Sequence, residues 1–278
     1  MSHEQRIDRA NPALIVILVD QSDSMKMGIA GTNDPKASVV AEQLNSLLYE
    51  LVLRCVKTPR EPPRPYFFVE VVGYQGGSGT EARVGTALRI PQHPTGPYST
   101  TVLAQSPLRI GKQRNASTGA MVNMPVWIEP KHGGGTPMCA ALDYAGRVCH
   151  TWVTQHPTAF PPIVINLSDG QPTDGDPGVW ADRLRSLRTT DGEVLFFNVH
   201  ISQFQHRPVV FPSTTDDLET VNAHRLFSMS SQLPPKMVDA ARAHGLAVQP
   251  GSRGFAYNAD LKSLAQFLNV GTSIGRIG

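Results

Sequence analysis

Three oxygen-rich spots in the sequence are able to do chemistry. Asp20, Ser22 and Ser24 alternate directly after the apolar run Ala13 to Val19. Thr136 follows Gly133, Gly134 and Gly135 and precedes Pro137. Asp169 comes just after the run Pro162 to Leu167, between Ser168 and Gly170. Two carboxylates and three hydroxyls make a hard, all-oxygen set, which suits Mg2+ or Mn2+. The alternating spacing lets one loop aim several oxygens at one point, and the glycines let the backbone approach closely. Protein oxygens do not complete the shell, so one position stays exchangeable for an acidic side chain of a partner protein. Each spot also has a plainer reading. Any one Asp-x-Ser serves as a helix cap or Asx-turn, and Asp169 alone as a turn residue.

The elements that would position these residues alternate. Ala13 to Val19 is continuously apolar and β-branched, as in strands covered on both faces. Asp34 and Pro35 open a helix as cap and first residue. Its buried face is Ala37, Val40, Ala41, Leu44, Leu47, Leu48 and Leu51, and it stops before Pro59. Phe67 to Val72 is a second strand and Ala82 to Ile90 a third. Thr136 caps a helix with Pro137 at its first position and Met138, Ala141, Leu142, Ala145, Val148 and Trp152 on its buried face. Pro162 to Leu167 is a fourth strand, and Trp180, Leu184 and Leu187 outline a short helix. Val194 to Ile201 is a fifth strand. Pro235 to His244 is a helix stopped by Gly245. A sixth strand is expected around Ala247 and Val248. The last helix carries Leu261, Leu264, Ala265 and Leu268, with Asn258 as its cap. Such alternation specifies an α/β fold, a doubly wound, mainly parallel sheet flanked by helices. In the usual strand order 3-2-1-4-5-6, strands one and four are neighbours, and Asp20 and Asp169 would stand side by side where ligands bind.

Residues 91–131 interrupt this pattern. They are rich in Pro, Gly, Ser, Thr and Asn, and only Val126, Trp127 and Ile128 look strand-like. We read them as an irregular insertion at one edge of the sheet, within a single domain spanning 1–278. Met121 and Met124 inside it cover an edge or face a partner.

Composition excludes several classes. The chain has 278 residues with a formal net charge of +2, which argues against a nucleic-acid binder acting through bulk charge. Three cysteines without C-x-x-C exclude a disulfide framework and the common zinc modules, so Cys55, Cys139 and Cys149 read as core thiols. No apolar run approaches the ~18 residues of a membrane helix. The early run follows charged residues, ends in Asp20 and lacks a cleavage site, so it reads as a strand rather than a signal peptide. The expectation is a cytoplasmic protein without membrane contact. No P-loop or G-x-S-x-G elbow is present, and the glycines at 76, 77 and 79 read as a hairpin turn. The histidines lack zinc spacing, His132 being of interest for its place before the glycine loop.

Taken in register, the motif residues resemble the metal-ion-dependent adhesion site (MIDAS) of the von Willebrand factor A (vWA) domain family, D-x-S-x-S, then a distant Thr, then a distant Asp. The resemblance implies that Ser22, Ser24 and Thr136 coordinate the ion directly while Asp20 and Asp169 act largely through water. It implies a metal-dependent protein-protein interaction module, not an enzyme. Gly134 to Leu142 and the tail segments Arg253 to Leu261 and Phe267 to Thr272 look like bacterial intracellular members associated with tellurite resistance. That likeness implies a regulatory partner in a protein kinase or PP2C-type phosphatase system; a subunit regulating an AAA-type ATPase is a separate alternative. Those members usually have Gly where this chain has Asp23, an added carboxylate that either tightens the cation or points to solvent. An alternative is a Mg-dependent phosphohydrolase, because Asp20 also resembles the nucleophile of haloacid dehalogenase-type enzymes. Those carry a second Asp two residues on, where this chain has Ser22, and a downstream Lys with no clear counterpart here.

Overall fold

Apolar runs buried on both faces set the frame. In the computed structural model, which describes residues 3–272 apart from 59, 78–80, 92, 94 and 115–119, the first run is strand β1 (Ala13–Asp20), buried throughout. A 3-10 turn (Asp23–Lys26) and a loop lead to helix α1 (Lys36–Arg54). Strands β2 (Phe67–Gly76) and β3 (Ala82–Thr86) follow. Next come β4 (Tyr98–Ser99), α2 (Thr100–Gln105), β5 (Arg109–Arg114) and β6 (Met121–Val126). Helix α3 (Met138–Gln155) precedes β7 (Ile163–Ser168), α4 (Gly178–Ser186) and the small pair β8 (Arg188–Thr189) and β9 (Gly192–Glu193). The remaining elements are β10 (Leu195–Ile201), β11 (Val209–Val210), α5 (Val221–Met229), α6 (Pro235–Ala243), β12 (Phe255–Ala259) and α7 (Leu261–Gly271).

The main sheet runs β11-β12-β10-β7-β1-β2-β3. Its five inner strands are parallel, and β3, β4 and β11 pair antiparallel at the edges. With β3, β7 and β10 as the expected third to fifth strands and β12 in the sixth place, this is the order 3-2-1-4-5-6 with β11 added outside. Strands β1 and β7 are direct neighbours, in register from Ile15 opposite Ile163 to Val19 opposite Leu167. Asp20 and Asp169 therefore leave adjacent carboxyl ends.

The absence of alternation in β1 has a direct cause. Ala13, Ile15, Ile17 and Val19 pack with Leu44, Leu48 and Leu51 of α1 and Phe267 of α7. Leu14, Val16 and Leu18 pack on the other face with Met138, Leu142 and Trp152 of α3 and Leu226 of α5. Each leucine buried in this way contributes about 1.5–3 kcal/mol. Cys55, Cys139 and Cys149 are buried and unpaired. Among the described residues no helix is long and apolar enough to cross a membrane.

Several expectations are corrected in detail. Helix α1 starts after Pro35, which occupies the cap position, and Asp34 provides no side-chain cap. Its preceding loop is closed instead by backbone bonds, from Ile29 to Asp34 and from Lys36 to Met27. The third strand ends at Thr86. Ala247 and Val248 form no strand, because the two-sided burial a sixth inner strand needs is found in β12. Asn258 lies in β12 at φ +52°, and Asp260 caps α7 in a reciprocal box with Ser263. Helix α5, capped by Thr220, has no counterpart in the sequence reading. Residues 91–131 hold more order than expected: β4 extends the main sheet, and β5 and β6 pair as a hairpin. The glycine turn after β2 lies partly outside the described residues; its flanks pair antiparallel, Gly76 opposite Ala82.

Candidate metal centre

Asp20 ends β1 fully buried. Its Oδ1 accepts the Ser22 amide at 2.8 Å and its Oδ2 accepts the Ser168 hydroxyl at 2.7 Å. Burial pushes its carboxyl up to about 6, against the hydrogen bonds from Ser22 and Ser168 that pull it down. Ser22 and Ser24 place their hydroxyls 3.0 Å apart. Ser24 donates to Asp169 Oδ1 at 2.6 Å, across 145 positions of sequence. Four of the five singled-out residues are thus joined by hydrogen bonds or adjoining strand ends.

Thr136 reaches the same place by another route. Gly134, at φ +72°, packs its backbone directly on Gly76 at the end of β2, where neither position has room for a Cβ. Gly76 donates to the Gly135 carbonyl at 2.8 Å, and Asp23 to that of Gly134 at 2.9 Å. Thr173 then brackets Thr136, its hydroxyl accepting the Thr136 amide at 3.0 Å and its amide donating to the Thr136 carbonyl at 2.9 Å. Contrary to the expectation from sequence, Thr136 is not the cap of α3. Pro137 holds the cap position, and the Asp174 carboxylate accepts the amides of Cys139 and Ala140 at 3.0 and 2.9 Å. Asp174 thus relieves Thr136 of that duty.

The oxygens converge on one small space. A Cβ at Gly170 would stand 3.2 Å from Thr136 Oγ1 and 3.9 Å from both Asp20 Oδ2 and Ser24 Oγ. Only a glycine leaves this cradle open without crowding. Among the described residues no group of three or more His, Cys, Asp or Glu is placed to hold a metal ion. A cation here would have two carboxylates, three hydroxyls and water, a set that fits a small hard divalent ion.

Sequence reasoning missed several residues of this region. Lys36, the first residue of α1, bonds its ammonium to Asp169 Oδ2, with both side chains buried. The signal was present, because lysine opposes the positive end of a helix dipole. Asn222 of α5 donates to the Gly170 carbonyl at 3.4 Å, and its buried Oδ1 has no partner among the described residues. Beneath the site, Tyr74 donates to Asn166, Asn166 to Asn198 and Asn198 to Ser230, at 2.9, 3.1 and 3.0 Å. Asn166 and Asn198 were visible as lone amides in apolar runs. His200 of β10 has its imidazole lowered to about 4 by burial, with Asp169 and Lys36 acting in opposite directions. Asp23 and His132 are exposed.

No protein-family profile matches this chain, and no curated protein does. Among solved structures, it is similar to proximal thread matrix protein 1 from the mussel byssus, with a TM-score of 0.44 and 15% identity over 82% of this chain and 43% of that one. It is also similar to the pilus adhesin SpaC from Lactobacillus rhamnosus GG, with a TM-score of 0.49 and 13% identity over 98% and 32% of the two chains. For the manganese-loaded TRAP protein of Plasmodium vivax the values are 0.38 and 16% over 71% and 60%. The chain spans less than two thirds of each of these proteins. At these scores and identities the likeness carries no functional information.

Proposed function

We propose that this chain is a non-enzymatic, metal-dependent protein-binding module that captures an acidic side chain of a partner protein. Ser22, Ser24 and Thr136 would hold a divalent cation, Mg2+ or Mn2+, with Asp20 and Asp169 in or just behind them. When bound, the cation supplies a hard positive centre for the partner's carboxylate. The observation that carries this reading is the convergence of Thr136 Oγ1, Asp20 Oδ2 and Ser24 Oγ around Gly170. The chain's own contribution is positioning. The Gly76 and Gly134 contact sets the Thr136 loop, Ser168 and the Ser22 amide orient Asp20, and Ser24 links the first loop to Asp169.

The phosphohydrolase reading gains one observation, the buried Lys36. That lysine bonds Asp169 rather than Asp20. Both Asp20 oxygens already accept hydrogen bonds, and Ser22 stands where a second acid is needed. The two readings separate experimentally. The full chain with Mn2+ should bind a glutamate-containing peptide, lose it to chelator, and hydrolyse p-nitrophenyl phosphate no faster than buffer. Hydrolysis abolished in Asp20→Asn would favour the enzyme instead.

A further inference from the structure

Lys36 is buried in a place that is electrostatically wrong for a lysine. It begins α1, whose first turn contains no acid to offset the positive end of the helix dipole. Its side chain is 3% exposed and that of Asp169 is 0% exposed. A buried ion pair seldom improves on apolar packing, since both charges lose their water. Its persistence calls for a reason, and the neighbouring acid supplies one. Asp20 lies on the adjacent strand end, also fully buried. Two carboxylates in one buried space repel each other unless positive charge is provided. Lys36 provides half of it, leaving one net negative charge among the three groups.

Asp169 divides its oxygens between two masters. Oδ1 accepts the Ser24 hydroxyl, on the side of the cradle, and Oδ2 accepts the Lys36 ammonium. A cation entering the cradle would therefore draw on a carboxylate already neutralised. We propose that Lys36 is a built-in rival of the divalent ion. It keeps the metal-free protein folded and lowers the affinity of the site, so that occupancy responds to the supply of ion or partner. This rests on the reading of the site as a cation centre given above. With a divalent ion added, the same groups carry one net positive charge, which favours an anionic donor as the last ligand.

The test uses the full chain with Lys36→Met, which keeps the stem and removes the charge, and Lys36→Gln, which keeps a hydrogen-bond donor. Mn2+ is titrated calorimetrically, and melting temperature is read with and without Mn2+. Both variants should bind Mn2+ at least ten-fold more tightly than the natural chain, and Mn2+ should raise their melting temperature by more. Affinity equal to or weaker than that of the natural chain overturns the proposal while leaving the cation centre standing. If a variant is unfolded without metal, refolding on addition of Mn2+ supports the proposal; a variant still unfolded in Mn2+ refutes it, because the lysine is then a structural tie only. If the natural chain and both folded variants all fail to bind Mn2+, the reading of the site fails and this inference fails with it.

Discussion

Gly170 stands where any side chain would crowd Thr136, with a Cβ meeting the threonine hydroxyl at 3.2 Å. That distance is tighter than ordinary contact, and Thr136 is bracketed by Thr173 and cannot simply withdraw. Gly170→Ala should therefore weaken Mn2+ binding by roughly ten-fold, a cost of about 1.4 kcal/mol. Its backbone is not left-handed, so the circular dichroism spectrum should stay unchanged. Calorimetric titration giving the natural affinity would show that the cradle is not where the ion sits.

Thr136→Val keeps the shape and removes the oxygen. Binding of the acidic peptide should weaken by about 1.5–3 kcal/mol, the scale of a charge-assisted contact. Chelator should bring the natural chain to the same floor. Because Asp174 rather than Thr136 caps α3, metal-free stability should change little. Binding that survives both treatments would place the partner elsewhere.

Asp174→Ala should destabilise the fold where Thr136→Val does not. It leaves the amides of Cys139 and Ala140 without their acceptor. Loss of such a cap costs about 0.5–2 kcal/mol. Urea unfolding of the two variants side by side would reveal the reverse order if the threonine were the cap after all.

A different acid, outside the candidate centre, adds its own pH dependence to stability. Glu70 on β2 is buried, and its Oε1 has no partner among the described residues. Burial pushes its carboxyl from 4.5 up to about 7, with the Thr86 hydroxyl opposing; Tyr98 and Tyr144 face it. The folded chain thus keeps a proton that the unfolded chain has released. This contribution is full below about pH 4.5 and is lost as pH rises through about 7. Glu70→Gln cannot ionise, so its stability relative to the natural chain should rise by up to about 3 kcal/mol between pH 4.5 and 8. Asp20 titrates in the same direction but is present in both proteins. Parallel melting profiles would contradict this account.

The frame was legible because two-sided burial leaves an unmistakable mark. Ala13 to Val19 and Pro162 to Leu167 read as inner strands, and their being neighbours placed Asp20 beside Asp169. Short-range rules did worse. Asp34, Thr136 and Asn258 all have cap chemistry, yet none of them caps: α1 has no side-chain cap, Asp260 caps α7 and the distant Asp174 serves α3. Cap choice depends on which acceptor tertiary structure brings to the helix end, and local sequence does not contain that. Lys36 was passed over for the same reason. Its partner is 133 positions away, and only a clash with the helix dipole marked it. Residues 91–131 hid β4 because two residues are too short to show a period, and hid the hairpin because β6 has no buried face to mark it.

The account stands on a divalent cation held where three chain segments meet. The most direct measurement is calorimetric titration of Mn2+ into the metal-free full chain, with Ser22→Ala and Asp20→Asn alongside. The natural chain should bind one ion per molecule at millimolar concentration or below, and both variants should bind at least ten-fold more weakly while remaining folded. No binding by the natural chain at millimolar Mn2+, or equal binding by all three proteins, would contradict it.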